Sequence, residues 1–325
     1  MSKVKWGVMG TAHIAKGQTI PGMKLSESCE LYAIAGRSLE KAEAFKEEFG
    51  FQKAYGSYQE LLDDKEVQAV YIPLPNDIHL KWVKAALEAG KHVLCEKPLA
   101  LNAKEAEEMF NCAKANGVIL MEAYAYLHSP YVKSLKEDVA NGIIGDVDYV
   151  ESAFITQGYE EDFRLHKELG GGAMYDLGCY CTTMILSLID SEPEFVKASA
   201  EFTDLGVDAN TTAIIRFANG SRATLNVGMI LGINTHSRFD TLYVHGSKGS
   251  IRSEVEYNQA GEISYKIYTA DGVAEKKINV PQNYSLEVEQ LSQCILNGEK
   301  PHVTPEFSIK NAKLIDSVLN EIGYY

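Results

Sequence analysis

The chain has 325 residues, enough for two domains that each bury a core of their own. Its 46% hydrophobic and 23% charged content is ordinary for a globular protein. With 31 basic and 45 acidic residues the formal charge is -14, a field that opposes nucleic acid and anionic membranes and leaves any anionic ligand to a local site.

The start of the chain has too short an apolar run for a signal peptide, and no later window approaches the length of a membrane span. The expected location is cytoplasmic. The six cysteines are scattered without a C-x-x-C pair or histidines at zinc-ligand spacing, so they are read as reduced thiols and no metal site is expected.

The first part alternates strand and helix. Apolar runs at Val4 to Met9, Leu31 to Ala35, Ala69 to Ile72, His92 to Cys95 and Val118 to Met121 predict strands. Helical patterns fall between them, at Glu40 to Phe49, Ile78 to Ala89 and from Asn102 through Ala113, where Asn102 and Glu105 read as an N-cap and its capping-box partner. Short turns between alternating elements predict a doubly wound parallel sheet covered on both faces, a Rossmann domain over 1–122.

After about residue 122 the pattern changes. A helix from Pro130 to Asn141, a strand from Asp148 to Thr156 and a helix from the glycine triplet Gly170 to Gly172 through Ile189 come first. Strand-like runs follow at 195–203, 210–217, 222–230, 239–245 and 263–269, with a hairpin signal at Asn219-Gly220, and helices near 285–296 and 307–322 close the chain. The expectation for 123–325 is an α+β domain with a mainly antiparallel, open-faced sheet for substrate binding and self-association.

Three stretches carry chemistry. Gly10-Thr11-Ala12-His13-Ile14-Ala15 follows the first strand as a G-x-A-x-x-A form of the dinucleotide fingerprint, small where the chain turns and where pyrophosphate approaches the backbone. The second strand ends in Gly36-Arg37-Ser38 with no carboxylate for a ribose 2′-hydroxyl, and Arg37 offers a fork for a 2′-phosphate. One charge-assisted bond of about 1.5–3 kcal/mol gives a preference of about ten- to a hundredfold for NADP, with NAD as the alternative. The third stretch is His92 to Pro98, in which an apolar strand runs into Glu96-Lys97 and a proline stops it. In an open α/β sheet that carboxyl edge is where ligands bind, so Lys97 is a candidate for chemistry.

Taken together, the Gly10 turn, Pro75-Asn76-Asp77-Ile78-His79, Cys95-Glu96-Lys97-Pro98 and the run Gly170 to Tyr180 resemble the Gfo/Idh/MocA oxidoreductase family. Within it, Leu120-Met121-Glu122-Ala123 and Tyr180 look most like the dimeric dihydrodiol dehydrogenase and NADP-dependent D-xylose dehydrogenase branch. The resemblance implies that Lys97 lies beside nicotinamide and the reacting carbon, that Asp176 contacts substrate, and that Tyr180 is the catalytic acid–base. It also implies that Arg164 reaches the cofactor, although Phe163 replaces the family's tryptophan beside it. The expected cofactor residues are Gly10, Ala12, His13 and Ile14 in the first turn and Arg37 and Ser38 after the second strand. Pro73, Asn76, His79, Glu96, Lys97 and Arg164 complete that set, His79 being read mainly as ordering the third turn.

The chemistry suits these residue types. Oxidising an alcohol removes a proton from oxygen as hydride leaves carbon, and a tyrosine near an ammonium can take that proton. The four-residue spacing of Asp176 and Tyr180 predicts one shared helical face, with Leu177, Met184 and Leu188 turned to the core. The expected substrate is a sugar, polyol or cyclic diol, handled by a homodimer or homotetramer joined through the second-domain sheet. Two other readings remain open: a redox-neutral glycosidase holding its nicotinamide tightly, and a non-catalytic dinucleotide sensor.

Overall fold

The computed structural model describes residues 2–232, 238–255 and 257–325. Two compact units emerge, Met1–His128 with Pro281–Ile309, and Ser129–Val280 with Lys310–Tyr325. The segment 281–309 therefore packs with the first unit, a return that a single cut after residue 122 does not contain. Its physical reason is the helix Asn283–Asn297, which buries Val288 and Leu291 and accepts the indole N–H of buried Trp6 on Ser292 Oγ at 3.1 Å.

Six strands build the first sheet: β1 (Val4–Met9), β2 (Cys29–Ala35), β3 (Lys53–Tyr55), β4 (Ala69–Ile72), β5 (His92–Glu96) and β6 (Leu120–Ala123). All neighbours are parallel in the order β3-β2-β1-β4-β5-β6, so the connection reverses direction between β1 and β4, where such sheets bind ligands. β4 is buried at every position, as a strand covered on both faces must be. β3 has no counterpart in the sequence reading, since three half-buried residues carry no period. Asn102 caps its helix through a 3.0 Å bond from the Glu105 N–H, but Glu105 reaches back to the Leu101 N–H rather than to that of Asn102.

Among the described residues the second unit holds eight strands: β7 (Val147–Gln157), β8 (Pro193–Phe202), β9 (Asp208–Phe217), β10 (Arg222–Leu231), β11 (Arg238–Gly246), β12 (Gly249–Ser253), β13 (Gly261–Thr269) and β14 (Gly272–Val280). Their order is β14-β13-β12-β11-β7-β10-β9-β8, antiparallel except for the β7–β10 pair. Alternation sorts the faces: Val150, Ile215, Leu225 and Val244 are buried, whereas Phe195 and Ile214 on the opposite face are exposed. The helix Cys179–Leu188 packs on β7 and β10.

The helix after the glycine triplet differs from expectation. Met174–Gly178 forms a π-helical turn before the α-helix, so Asp176 and Tyr180 are not related by the regular α-helical step. The α-helix is buried on nearly all sides: Thr183 is as completely buried as Met184, its hydroxyl donating to the Cys179 carbonyl at 2.7 Å.

Candidate active site

In the first unit the Gly10 turn is tied to the end of β2 by the Gly10 N–H donating to the Ala35 carbonyl at 2.8 Å. Gly10 has φ +127, and a Cβ there would stand 3.1 Å from Leu74 Cδ2, so the turn is restricted to glycine. Pro73 O lies 3.8 Å from that same point, which brings the end of β4 alongside. A helical segment begins at His13, with Ala12 and Ile14 half-buried and His13 exposed. Its first N–H groups have no preceding helical carbonyl to bind, which makes this turn a fit for an anionic pyrophosphate.

Arg37 emerges just beyond β2, exposed and in no ion pair among the described residues, while Ser38 caps the next helix by accepting the Lys41 N–H. That placement fits a 2′-phosphate. His79 has a different part. It is fully buried, with Nε2 2.8 Å from the Leu74 carbonyl oxygen and Nδ1 3.0 Å from the Pro98 carbonyl oxygen; the neutral ring donates its single N–H to one of these, and both nitrogens face backbone. Burial lowers its pKa below the usual histidine range. His79 thus ties the turn of buried Asn76 to the segment carrying Lys97, and its ring presents nothing to a cofactor.

Glu96, at the end of β5, accepts the Tyr71 hydroxyl at 2.5 Å, and Tyr71 in turn accepts the Thr19 hydroxyl at 2.9 Å. Lys97 is half-buried, its N–H donating to Glu96 Oε2 at 3.3 Å. Two further carboxyls of this unit were given no role by the sequence. Glu122 on β6 accepts the Leu99 N–H at 2.8 Å, and burial pushes its carboxyl up to about 7. Glu287 is fully buried, and burial with nearby Glu96 drives it well above the carboxylate range. The buried Tyr124 and Tyr126 rings meet edge to face at 6.4 Å, the geometry of packing.

The second unit presents Asp176, Tyr180 and Arg164. The resemblance assigns Arg164 to cofactor and Asp176 to substrate; the structure pairs them, Arg164 Nε to Asp176 Oδ2 at 2.7 Å. Arg164 Nη1 also lies 3.0 Å from Asp162 Oδ1, and the guanidinium stacks over Phe163 at 4.7 Å and Tyr159 at 5.3 Å. Tyr180 is buried to 9% exposure among Phe154 and Tyr257, with ring centroids 5.5 and 5.2 Å away. Its hydroxyl oxygen accepts the Asn258 side-chain N–H at 3.1 Å.

The glycine triplet is explained by what surrounds it. A Cβ on Gly171 would lie 2.4 Å from the Arg164 carbonyl oxygen, and one on Gly172, where φ is +105, would lie 2.1 Å from Asp208 Oδ1. Asp208 needs that space because its Oδ2 accepts the Met174 N–H at 2.9 Å and the Thr211 hydroxyl at 2.7 Å, holding the start of the helical segment that carries Asp176 and Tyr180. Burial raises its carboxyl to about 6. Among the described residues no cluster of three or more His, Cys, Asp or Glu is placed to hold a metal ion, and no helix is long and apolar enough to cross a membrane.

A parallel sheet with a small-residue turn at its switch point in one unit, and an open-faced, mainly antiparallel sheet in the other, make up a two-domain dinucleotide-binding architecture. Residues 4–124 match the model described as oxidoreductase family, NAD-binding Rossmann fold, and residues 132–252 match the GFO/IDH/MocA C-terminal domain. The chain belongs to the Gfo/Idh/MocA oxidoreductase family. It is 33% identical to a D-xylose 1-dehydrogenase (NADP(+)) of Haloferax volcanii, covering 96% of this chain and 95% of the relative. It is 29% identical to a trans-1,2-dihydrobenzene-1,2-diol dehydrogenase of Xenopus tropicalis, covering 98% and 96%. A 3-ketoreductase from Actinomadura kijaniata, solved with NADP and TDP-benzene, superposes with a TM-score of 0.91 at 29% identity over 99% of this chain and 98% of that one.

Proposed function

We propose that this protein is a cytoplasmic NADP-dependent dehydrogenase or reductase that interconverts a hydroxyl and a carbonyl on a sugar, polyol or cyclic diol. The observation that carries the reading is Tyr180, an ionisable hydroxyl held among aromatic rings with a donor on its oxygen, on the same helical segment as Asp176, which pairs with Arg164. Such a group takes the hydroxyl proton in oxidation and returns it in reduction. The xylose dehydrogenase and the dihydrodiol dehydrogenase act, by name, on a sugar and a cyclic diol, and the third relative is, by name, a ketoreductase solved with NADP.

The residues divide the work. Gly10, Ala12, His13, Ile14 and the neighbouring Pro73 and Asn76 would seat the dinucleotide, with Arg37 on the 2′-phosphate and Ser38 beside it. When bound, NADP supplies hydride exchange with the substrate carbon. Tyr180 moves the oxygen-bound proton, and the Lys97 ammonium, at the Glu96 strand end, favours the oxyanion and the ionised tyrosine. Asp176, oriented by Arg164, accepts a substrate hydroxyl. Six unbridged thiols suit a reducing compartment. The exposed Phe195 and Ile214 on the outer face of the second sheet favour self-association there, as a dimer or tetramer.

The test is absorbance of reduced nicotinamide on mixing the protein with NADP⁺ or NAD⁺ and a panel of aldoses, inositols and vicinal diols. Reduction of NADP⁺ by one substrate group, faster than of NAD⁺, is expected. Cofactor binding without reduction across the panel would overturn the reading.

A further inference from the structure

Asn258 lies in the loop between β12 and β13, and it is the one non-glycine residue with positive φ, 65°, among the described residues. Asparagine tolerates that left-handed backbone better than most side chains, yet the conformation is still disfavoured relative to glycine. Its Oδ1 is buried without a hydrogen-bond partner, a second penalty. Against these stands one contact, from Nδ2 to Tyr180 Oη at 3.1 Å, across 78 residues of sequence. A residue kept in a strained conformation with an orphaned acceptor, and a donor on an ionisable oxygen, matches a functional rather than a stabilising role.

We propose that Asn258 is a positioning residue for Tyr180: its amide N–H holds the phenol oxygen, leaves the phenol's own proton directed elsewhere, and favours the phenolate. The inference rests on the assignment of Tyr180 as acid–base. When Tyr180 gives up its proton, the donated bond changes from neutral to charge-assisted and strengthens, so Asn258 acts more on the ionised form than on the neutral one. Among the described residues, the titratable and charged groups packed around the ring are engaged with partners of their own. Tyr257 is paired with Ser152 Oγ at 2.9 Å, the Arg238–Asp240 ion pair lies over the Phe154 ring, and Asp176 is taken up by Arg164.

The experiment is an alkaline absorbance titration of the full chain, in which the Tyr180 component is the difference between a protein and its Tyr180→Phe counterpart. Asn258→Gly keeps the left-handed backbone and removes only the amide. Its Tyr180 component is expected to titrate about one to two pH units higher than in the wild-type background, a ten- to hundredfold change in ionisation. Asn258→Asp keeps the shape but replaces the donor with an acceptor, and its component should move higher still. A Tyr180 component unmoved in both folded variants overturns the inference, as does one that moves down. Because the titration needs no substrate, it is separable from turnover: wild-type turnover in Tyr180→Phe would remove Tyr180 from the reaction while leaving the Asn258 contact measured.

Discussion

Replacing Gly172 by alanine tests how the segment carrying Asp176 and Tyr180 is held. At φ +105 an alanine is strained by about 1–3 kcal/mol. Its Cβ would also stand 2.1 Å from Asp208 Oδ1, displacing the carboxyl that accepts the Met174 N–H, a charge-assisted bond of about 1.5–3 kcal/mol. The expected loss is about 2.5–6 kcal/mol. Gly178→Ala is the control in the same segment. Its Cβ would meet Met174 Sδ at 2.4 Å, the far end of a flexible side chain, and the helix gains about 1 kcal/mol from alanine, so its net change should stay within about 1 kcal/mol. Trp6 and Trp82 both belong to the first unit, so the urea midpoint by far-UV circular dichroism, rather than tryptophan emission, is the readout. Equal losses in the two variants, or a wild-type midpoint in Gly172→Ala, would refute the reasoning.

Other outcomes follow from single groups. Glu122 has a folded pKa of about 7, above its unfolded value of 4.5, so the folded state binds the extra proton and its contribution to stability falls as pH rises through that window. Glu122→Gln keeps an acceptor for the Leu99 N–H and removes the titration. Wild-type stability should therefore drop relative to the variant by about 3 kcal/mol between pH 4 and pH 8, and parallel stability curves would contradict the assignment. Arg37→Ala should reduce the NADP over NAD preference in kcat/KM by about ten- to a hundredfold, the worth of one charge-assisted bond. An unchanged ratio would show that another group reads the 2′-phosphate.

The fold was legible where a residue's role is local or repeated. β1 and β4 were bounded correctly because each is a short apolar run ended by Gly10 or Pro73. β12 and β14 escaped notice because one has only five residues and the other is largely exposed, with Glu275, Lys276 and Lys277 breaking any apolar alternation. The π-helical turn at Met174–Gly178 escaped for another reason: it inserts one residue's worth of rotation without any change in composition. For the candidate site, the Gly10 turn, Lys97, Asp176 and Tyr180 stood in contiguous motifs. Asn258 and Asp208 did not, since they act across 78 and 34 residues of sequence and nothing adjacent marks them. Glu287 sits in a helix whose return to the first unit depends on packing around Trp6, which no local pattern announces.

The most direct measurement of the central claim is a cycle of Lys97→Met, Tyr180→Phe and the double variant, read as turnover with NADP⁺ and the substrate that the panel identifies. Each single change should lower turnover by about two to four powers of ten with cofactor binding kept, and the double should fall little further, because the two groups serve one proton transfer. Wild-type turnover in Tyr180→Phe, or losses that multiply in full in the double variant, would contradict the account.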